Sequence, residues 1–197
     1  MEIHNLFIMQ KTFNIVISGT GGQGLITLLQ ILAEAALLDG CDVKTSELHG
    51  LSQRGGSVEA YIRFGEKVFS PLIPIADANL ILGLELLEGL RVIRYANAKT
   101  IFLVNKYVLP FAGGLSEEEI LSKLDLIKNE KHIIPASKIC QEELGAEVVS
   151  GIYLLGYAIS KNLIPLKREL VLEAISKIVS AKHFELNKKA FELSVRS

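Results

Sequence analysis

The stretch FNIVIS, GTGGQG, LITLLQILAEAALLDG (residues 13–40) constrains the fold more than any other part of the chain. The first six residues are apolar and β-branched and predict a buried strand. The glycine cluster breaks any regular element, and the residues after it carry apolar side chains on nearly every helical face. Strand, glycine turn and buried helix in that order open a layered α/β fold, because parallel strands need crossover helices to connect them.

The rest of the chain continues that alternation. DVKTSE (42–47) predicts a second strand. SVEAYIRF (57–64) alternates cleanly, with Val58, Ala60, Ile62 and Phe64 on one face and Glu59, Tyr61 and Arg63 on the other. Gly65 and Glu66 read as a tight turn into KVFSPLIP, which predicts an antiparallel hairpin between 57–64 and 67–74. Strands at 78–84, 100–105 and 132–136 follow, each leading into a helix. Ser116 and Glu119 form a capping box ahead of Ile120, Leu121, Leu124 and Ile127, one apolar stripe. Helices over 137–145, 147–160, 168–179 and 183–197 make the C-terminal part helical. The fold expected is a Rossmann-like, mostly parallel sheet with an antiparallel hairpin insertion and helices on both faces. It forms one domain over 1–197, with 1–10 as a flexible arm or an edge strand.

Charge and cysteine content exclude several classes. A net charge of −1 offers no basic excess to neutralise phosphates along a nucleic acid. No run of apolar residues approaches the roughly 18 needed to cross a bilayer. The N-terminus lacks the basic and apolar regions of a signal peptide, which with reduced thiols suggests a cytoplasmic protein. Cys41 and Cys140 form no CxxC pair and cannot by themselves build a zinc site or an iron–sulfur cluster. His4, His49, His132 and His183 stand apart, without ligand spacing, so no metal site is expected. No GxSxG elbow occurs, and Ser18 reads as a strand-end hydroxyl.

Two segments carry chemistry. Gly19, Gly21 and Gly24 satisfy GxGxxG between strand and helix, with Glu47 ending the next strand, 23 residues beyond Gly24. Glycines let the backbone approach a phosphate, whose charge is welcomed by free amides at a helix start. This supports a dinucleotide site, a tight helix–strand packing device, or a backbone cradle for another anion or carbonyl. The bareness of the turn, with Gly22 and Gln23 inside it, favours the cradle. The second segment, SELHGLSQRGGS (46–57), gathers Glu47, His49, Ser52, Gln53, Arg54 and Ser57 among Gly50, Gly55 and Gly56. Arg54 on such flexible flanks suits a carboxylate or phosphate fork, and His49 a proton or a carbonyl. A buried polar network ordering a subunit contact explains the same residues equally well. Both segments are expected at the carboxyl ends of the strands, where ligands and partners collect. Glu85, Glu88, Arg91 and Arg94 are expected to form the solvated or interface side of an amphipathic helix.

These two segments together resemble the gamma-type domain of the 2-oxoacid:ferredoxin oxidoreductases. GTGGQG is shared by such domains. Glu47, His49, Gly50, Ser52, Gln53, Arg54, Gly55 and Gly56 resemble the EXHGXSQRGG loop of the beta subunits of the indolepyruvate ferredoxin oxidoreductase branch, with Leu51 where that branch often has methionine. ADANLILGLELLEGLR and NKKAFEL extend the likeness along nearly the whole chain. The resemblance implies a subunit of an enzyme that decarboxylates an aryl-pyruvate oxidatively, passes the acyl group to coenzyme A and gives two electrons to ferredoxin. It implies that thiamine diphosphate, magnesium and iron–sulfur clusters reside on a large alpha-type partner, since this chain has neither a thiamine motif nor cluster cysteines. No catalytic residue is expected within this chain alone. Gly19, Gly21, Gly22, Gln23 and Gly24, with the polar loop, would face that partner and its active site. Two other readings stand beside it. One is an autonomous NAD(P)- or flavin-binding oxidoreductase. The other is a non-catalytic homodimer joined through apolar helices with small-residue gaps at Gly151 and Gly156.

Overall fold

The computed structural model describes residues 12–49, 56–111 and 113–196. The predicted arm at 1–10 lies outside them. Six strands form one sheet: β1 (Phe13–Thr20), β2 (Asp42–His49), β3 (Ser57–Gly65), β4 (Ala78–Gly83), β5 (Ala96–Asn105) and β6 (Lys131–Ile134), in the order β2-β3-β1-β4-β5-β6. β1, β4, β5 and β6 pair in parallel, and β3 is antiparallel to both β1 and β2. Five strands therefore point one way and β3 alone runs against them, giving the mostly parallel sheet with an antiparallel insertion that the sequence predicts.

The hairpin itself is a different one. β3 pairs with β2, Asp42 opposite Gly65 and His49 opposite Val58, while 67–74 forms no strand. Two physical reasons exclude the predicted pairing. β3 already has β1 on its other edge, so no row of backbone donors is free. Pro71 and Pro74 would also each remove a ladder donor. The 66–77 connection instead runs past the start of β1, held by Arg63 Nη1 to the carbonyls of Ser70 and Leu72 at 3.1 and 2.9 Å and by Val68 N to Asp42 Oδ2 at 2.9 Å. Buried Asn14 ties this corner together, accepting from Arg63 Nε and donating to Asp77.

Seven helices flank the sheet among the described residues: α1 (Leu25–Leu38), α2 (Leu86–Arg91), α3 (Glu117–Asp125), α4 (Ala136–Leu144), α5 (Ser150–Ser160), α6 (Arg168–Ile178) and α7 (Ala181–Leu193). Ile15, Ile17, Ala60, Ile62, Leu80, Leu82 and Leu103 face one cluster with α1 and the C-terminal helices. Val16, Tyr61, Ile81, Phe102 and Val104 face a second with α2 and α3. Burying an isoleucine or leucine of this kind stabilises the fold by about 1.5–3 kcal/mol each. Alternation in β3 divides its side chains between the two faces as the sequence predicts. The capping box holds as well: Ser116 Oγ accepts from Glu119 N at 3.2 Å and Glu119 returns the bond to Ser116 N at 2.8 Å.

α5 lies inside the molecule, with every residue buried except Tyr157 and Ser160. The expected dimer seam at Gly156 is filled internally: a Cβ there would stand 2.3 Å from the Phe191 carbonyl oxygen and 2.2 Å from Ser194 Oγ, so α7 crosses directly over it. Gly151 is ordinary by comparison, its nearest neighbour Leu84 Cδ2 lying 3.4 Å from the added carbon. Gly156 thus serves a helix crossing within the chain.

Gly156→Ala is expected to destabilise the protein by about 1–3 kcal/mol, since a backbone carbonyl cannot step aside, whereas Gly151→Ala should be neutral or stabilising by up to about 1 kcal/mol through helix propensity. Thermal unfolding of the two variants checks this, and equal effects would contradict it. Cys41 is half-buried and Cys140 buried, both as free thiols, and burial pushes the Cys140 thiol up to about 11. Cys41 should therefore react with a thiol reagent first and Cys140 only as the protein unfolds. Because the exposed thiol ionises near 9 and the buried one only near about 11, the unfolded chain releases its proton first. Stability then falls as pH rises through that window, and Cys140→Ala should flatten the fall.

Candidate functional site: the glycine turn and the hairpin base

The carboxyl ends of β1, β2, β4, β5 and β6 and the start of β3 share one edge of the sheet, and the glycine turn sits in its middle. β1 continues to Thr20, after which Gly22 (φ 103°) and Gly24 (φ 75°) take left-handed backbone conformations that L side chains rarely adopt. Gly19 is tightly surrounded for a different reason: a Cβ would stand 3.1 Å from Leu84 Cβ and 2.7 Å from Gln23 Oε1, displacing that side chain from the turn. Gln23 folds back over the turn, Oε1 accepting from Thr20 N at 2.8 Å and Nε2 donating to the Leu84 carbonyl at 3.3 Å. Gly24 caps α1 without any side-chain bond, and the first turn of α1 has no acidic residue. The turn therefore presents the uncapped amino end of a buried helix.

The polar segment meets the turn at its base. Gly21 N donates to the Gly56 carbonyl at 3.0 Å, and Thr20 pairs with Ser57. The structure thus brings Gly19–Gly24 and Gly56 together. Gly50, Ser52, Gln53, Arg54 and Gly55 lie outside the described residues, and His49 is placed only by its backbone pairing with Val58. Glu47 is exposed at the end of β2, on the far side of β3 from the turn. Two strand spacings, roughly 9–10 Å, separate β2 from β1, so Glu47 does not occupy the neighbouring-strand position of a dinucleotide ribose contact.

Beside the turn opens a cleft of about 380 Å³ lined by Thr20, Gly21, Gly22, Gln23, Tyr107, Leu109, Ser137, Glu147, Val148 and Ser150. Its floor is braced by Asn105 at the end of β5, whose Nδ2 donates to the Leu84 carbonyl at 3.1 Å and to Ser137 Oγ at 2.8 Å. Ser137 N donates back to Asn105 Oδ1 at 3.2 Å. Leu84 O consequently receives both Gln23 and Asn105, joining the first turn to the third parallel strand. Burial and the neighbouring Glu147 carboxylate raise the Tyr107 phenol above its ordinary range. The Ser18 hydroxyl, by contrast, is fully buried with no hydrogen-bond partner among the described residues and has no access to a substrate.

Glu85 and Glu88 correct the sequence reading. They are 2% and 3% exposed, because α2 is only six residues long and begins at the sheet edge instead of lying along the surface. Glu85 caps α2, accepting from Glu88 N at 2.7 Å, and burial raises its carboxyl against the opposing effect of that amide. Glu88 accepts from Ser57 Oγ and from Arg91 Nη1, each at 2.5 Å. Arg94 points elsewhere, onto Glu59 at 2.7 Å. Asn105, Tyr107, Ser137, Glu147 and these two glutamates were not legible as site residues, since they come from separate segments with no local pattern. The only signal was polar residues at the ends of apolar runs, as in TIFLVN.

Among the described residues no three or more His, Cys, Asp or Glu side chains gather where they could hold a metal, and no helix is long and apolar enough to cross a membrane. Cys41 precedes β2 and Cys140 lies in α4, and two thiols fall short of the four that an iron–sulfur cluster takes.

Residues 14–197 match the family model for pyruvate ferredoxin/flavodoxin oxidoreductase. The indolepyruvate oxidoreductase subunit IorB of Thermococcus kodakarensis is 36% identical over 195 residues, spanning 95% of this chain and 96% of that relative. Pyruvate oxidoreductase subunit PORC from Thermotoga maritima shares the fold with a TM-score of 0.72 at 21% identity, covering 95% of this chain and 97% of that one. A 2-oxoglutarate:ferredoxin oxidoreductase from Magnetococcus marinus, solved with 2-oxoglutarate, coenzyme A and succinyl-CoA bound, superposes with a TM-score of 0.74 at 17% identity. It covers 94% of this chain, which corresponds to 30% of that larger one. An end-to-end relative at this identity and the family match over residues 14–197 leave one assignment: the chain belongs to the pyruvate ferredoxin/flavodoxin oxidoreductase family.

Proposed function

We propose that this chain is the small, gamma-type subunit of an indolepyruvate or related aryl-pyruvate:ferredoxin oxidoreductase, a single domain over 1–197 working in the cytoplasm beside a large alpha-type subunit. The correspondence with IorB along nearly the full length of both chains carries this reading. The assembled enzyme oxidises and decarboxylates a 2-oxoacid, transfers the acyl group to coenzyme A and passes two electrons to ferredoxin. Thiamine diphosphate with magnesium supplies the carbanion chemistry and iron–sulfur clusters the electron path, all on the partner.

Within that assembly, this chain's part is to shape and close the partner's site. The glycine turn offers amides of Gly21, Gly22 and Gln23 on bare backbone, and the polar loop from Glu47 to Gly56 supplies His49, Ser52, Gln53 and Arg54. What supports joint action is the Gly21–Gly56 hydrogen bond, which sets the base of the loop against the turn. Facing the partner, Arg54 receives an anionic group of coenzyme A or of the substrate in a bidentate fork, and the uncapped start of α1 favours the same charge. Here coenzyme A is co-substrate, its thiol accepting the acyl group, and the small subunit binds and orients it without taking part in bond making.

Titration of the large subunit with purified small subunit, followed by 2-oxoacid-dependent reduction of ferredoxin, tests the proposal. Arg54→Ala should cost about tenfold or more in activity or in half-saturating concentration, the scale of a lost charge-assisted hydrogen bond. Gly22→Val should do so through strain at φ 103°. If both variants assemble and turn over like the parent, the two segments are bystanders.

A further inference from the structure

We infer that Glu88 is a positioning residue: acting through Ser57, it fixes the Gly56 carbonyl that holds the glycine turn, and so sets where the turn meets the large subunit. This rests on the reading of the turn proposed above. Glu88 is a carboxylate with 3% exposure on a helix whose packing is already provided by Leu86, Leu87 and Leu90. Burying such a group is costly unless its acceptors are used, and both are. Oε1 takes Arg91, whose side chain is 46% exposed, and Oε2 takes the hydroxyl of Ser57.

The height of Glu88 above the sheet is itself fixed. Gly83 and Gly89 let α2 press onto β4: a Cβ on Gly83 would stand 3.0 Å from Gly89 Cα, and one on Gly89 would stand 3.2 Å from a Val104 methyl. From that anchored carboxylate the path is short. Ser57 pairs with Thr20, and its neighbour Gly56 accepts from Gly21 N at 3.0 Å. The other leg of the turn is referenced to the same junction, since Gln23 bonds both Thr20 N and the Leu84 carbonyl just before α2. Both legs of the turn are thus braced from the β4–α2 junction, one through Gln23 and one through Glu88 and Ser57. The two oxygens of Glu88 have separate partners: the Arg91 guanidinium, itself half in solvent, neutralises the buried carboxylate, and the Ser57 bond faces the turn.

The test is the same titration of the large subunit, with thermal unfolding of each small-subunit variant alone. Ser57→Ala should raise the half-saturating concentration about tenfold. Activity at saturation should stay within about twofold of the parent and the unfolding midpoint within about 4 °C. Ser57→Thr, which keeps the hydroxyl, should restore parental behaviour; Glu88→Leu, which removes the acceptor, should resemble Ser57→Ala; and Arg91→Ala, which leaves the Ser57 bond in place, should lower the unfolding midpoint while keeping the half-saturating concentration near the parent's. Should Ser57→Ala unfold, Glu88→Leu carries the same reading. If Ser57→Ala and Glu88→Leu titrate like the parent while Gly22→Val is impaired, Glu88 has no positioning role although the turn still faces the partner. If Gly22→Val is silent as well, the proposed function and this inference fall together.

Discussion

β3 runs antiparallel between β1 and β2, and the rest of the site follows from that placement. In a wholly parallel sheet the second strand would lie beside the first and its end would complete a nucleotide site. With a reversed strand between them, the start of β3 lands next to the end of β1, and the base of the polar loop is delivered to the glycine turn at the cost of pushing Glu47 to the sheet edge. A fingerprint shared with dinucleotide-binding proteins is thereby put to another use. The glycines still permit close backbone approach, but what approaches first is the chain's own Gly56.

The sequence made the layered architecture legible because burial leaves a strong pattern. Ile15 and Ile17 in β1, the alternation in β3 and the box of Ser116 and Glu119 each state their element locally. It misled where a local signal competed with a distant one. Gly65-Glu66 looks like a hairpin turn, but β3 is already paired on both edges, a fact that depends on β1 and β2 far away in sequence; Pro71 and Pro74 were the available warning. Glu85, Glu88, Arg91 and Arg94 carry the spacing of a solvated helix face, yet a six-residue helix standing on the sheet edge turns both carboxylates inward. Gly156 announced a close contact without saying whether the partner was another chain or α7.

The site was legible to the same extent. GTGGQG and the residues from Glu47 to Ser57 stand out by composition, and the strand ends are where such segments gather. The cleft wall of Tyr107, Ser137 and Glu147 is assembled from the β5–α3 connection, α4 and the turn before α5, with buried Asn105 bonded to Ser137, so only the fold brings it together. Leu84 is the point at which these parts meet: its carbonyl receives Gln23 from the turn and Asn105 from the wall, while its amide bonds Ser18 O at 2.7 Å. Strand ends, turn and wall are therefore one braced surface, shaped before any partner arrives, which lowers the ordering cost of association.

The central claim is that this surface seats on the large subunit. Amide hydrogen exchange of the small subunit, alone and with the large subunit bound, tests it most directly. Slower exchange on binding at residues 19–24 and 56–58, with the outer helices α6 and α7 unchanged, is the result the account predicts. Protection confined to α6, α7 or the 66–77 connection, with the turn exchanging as in the free chain, would contradict it.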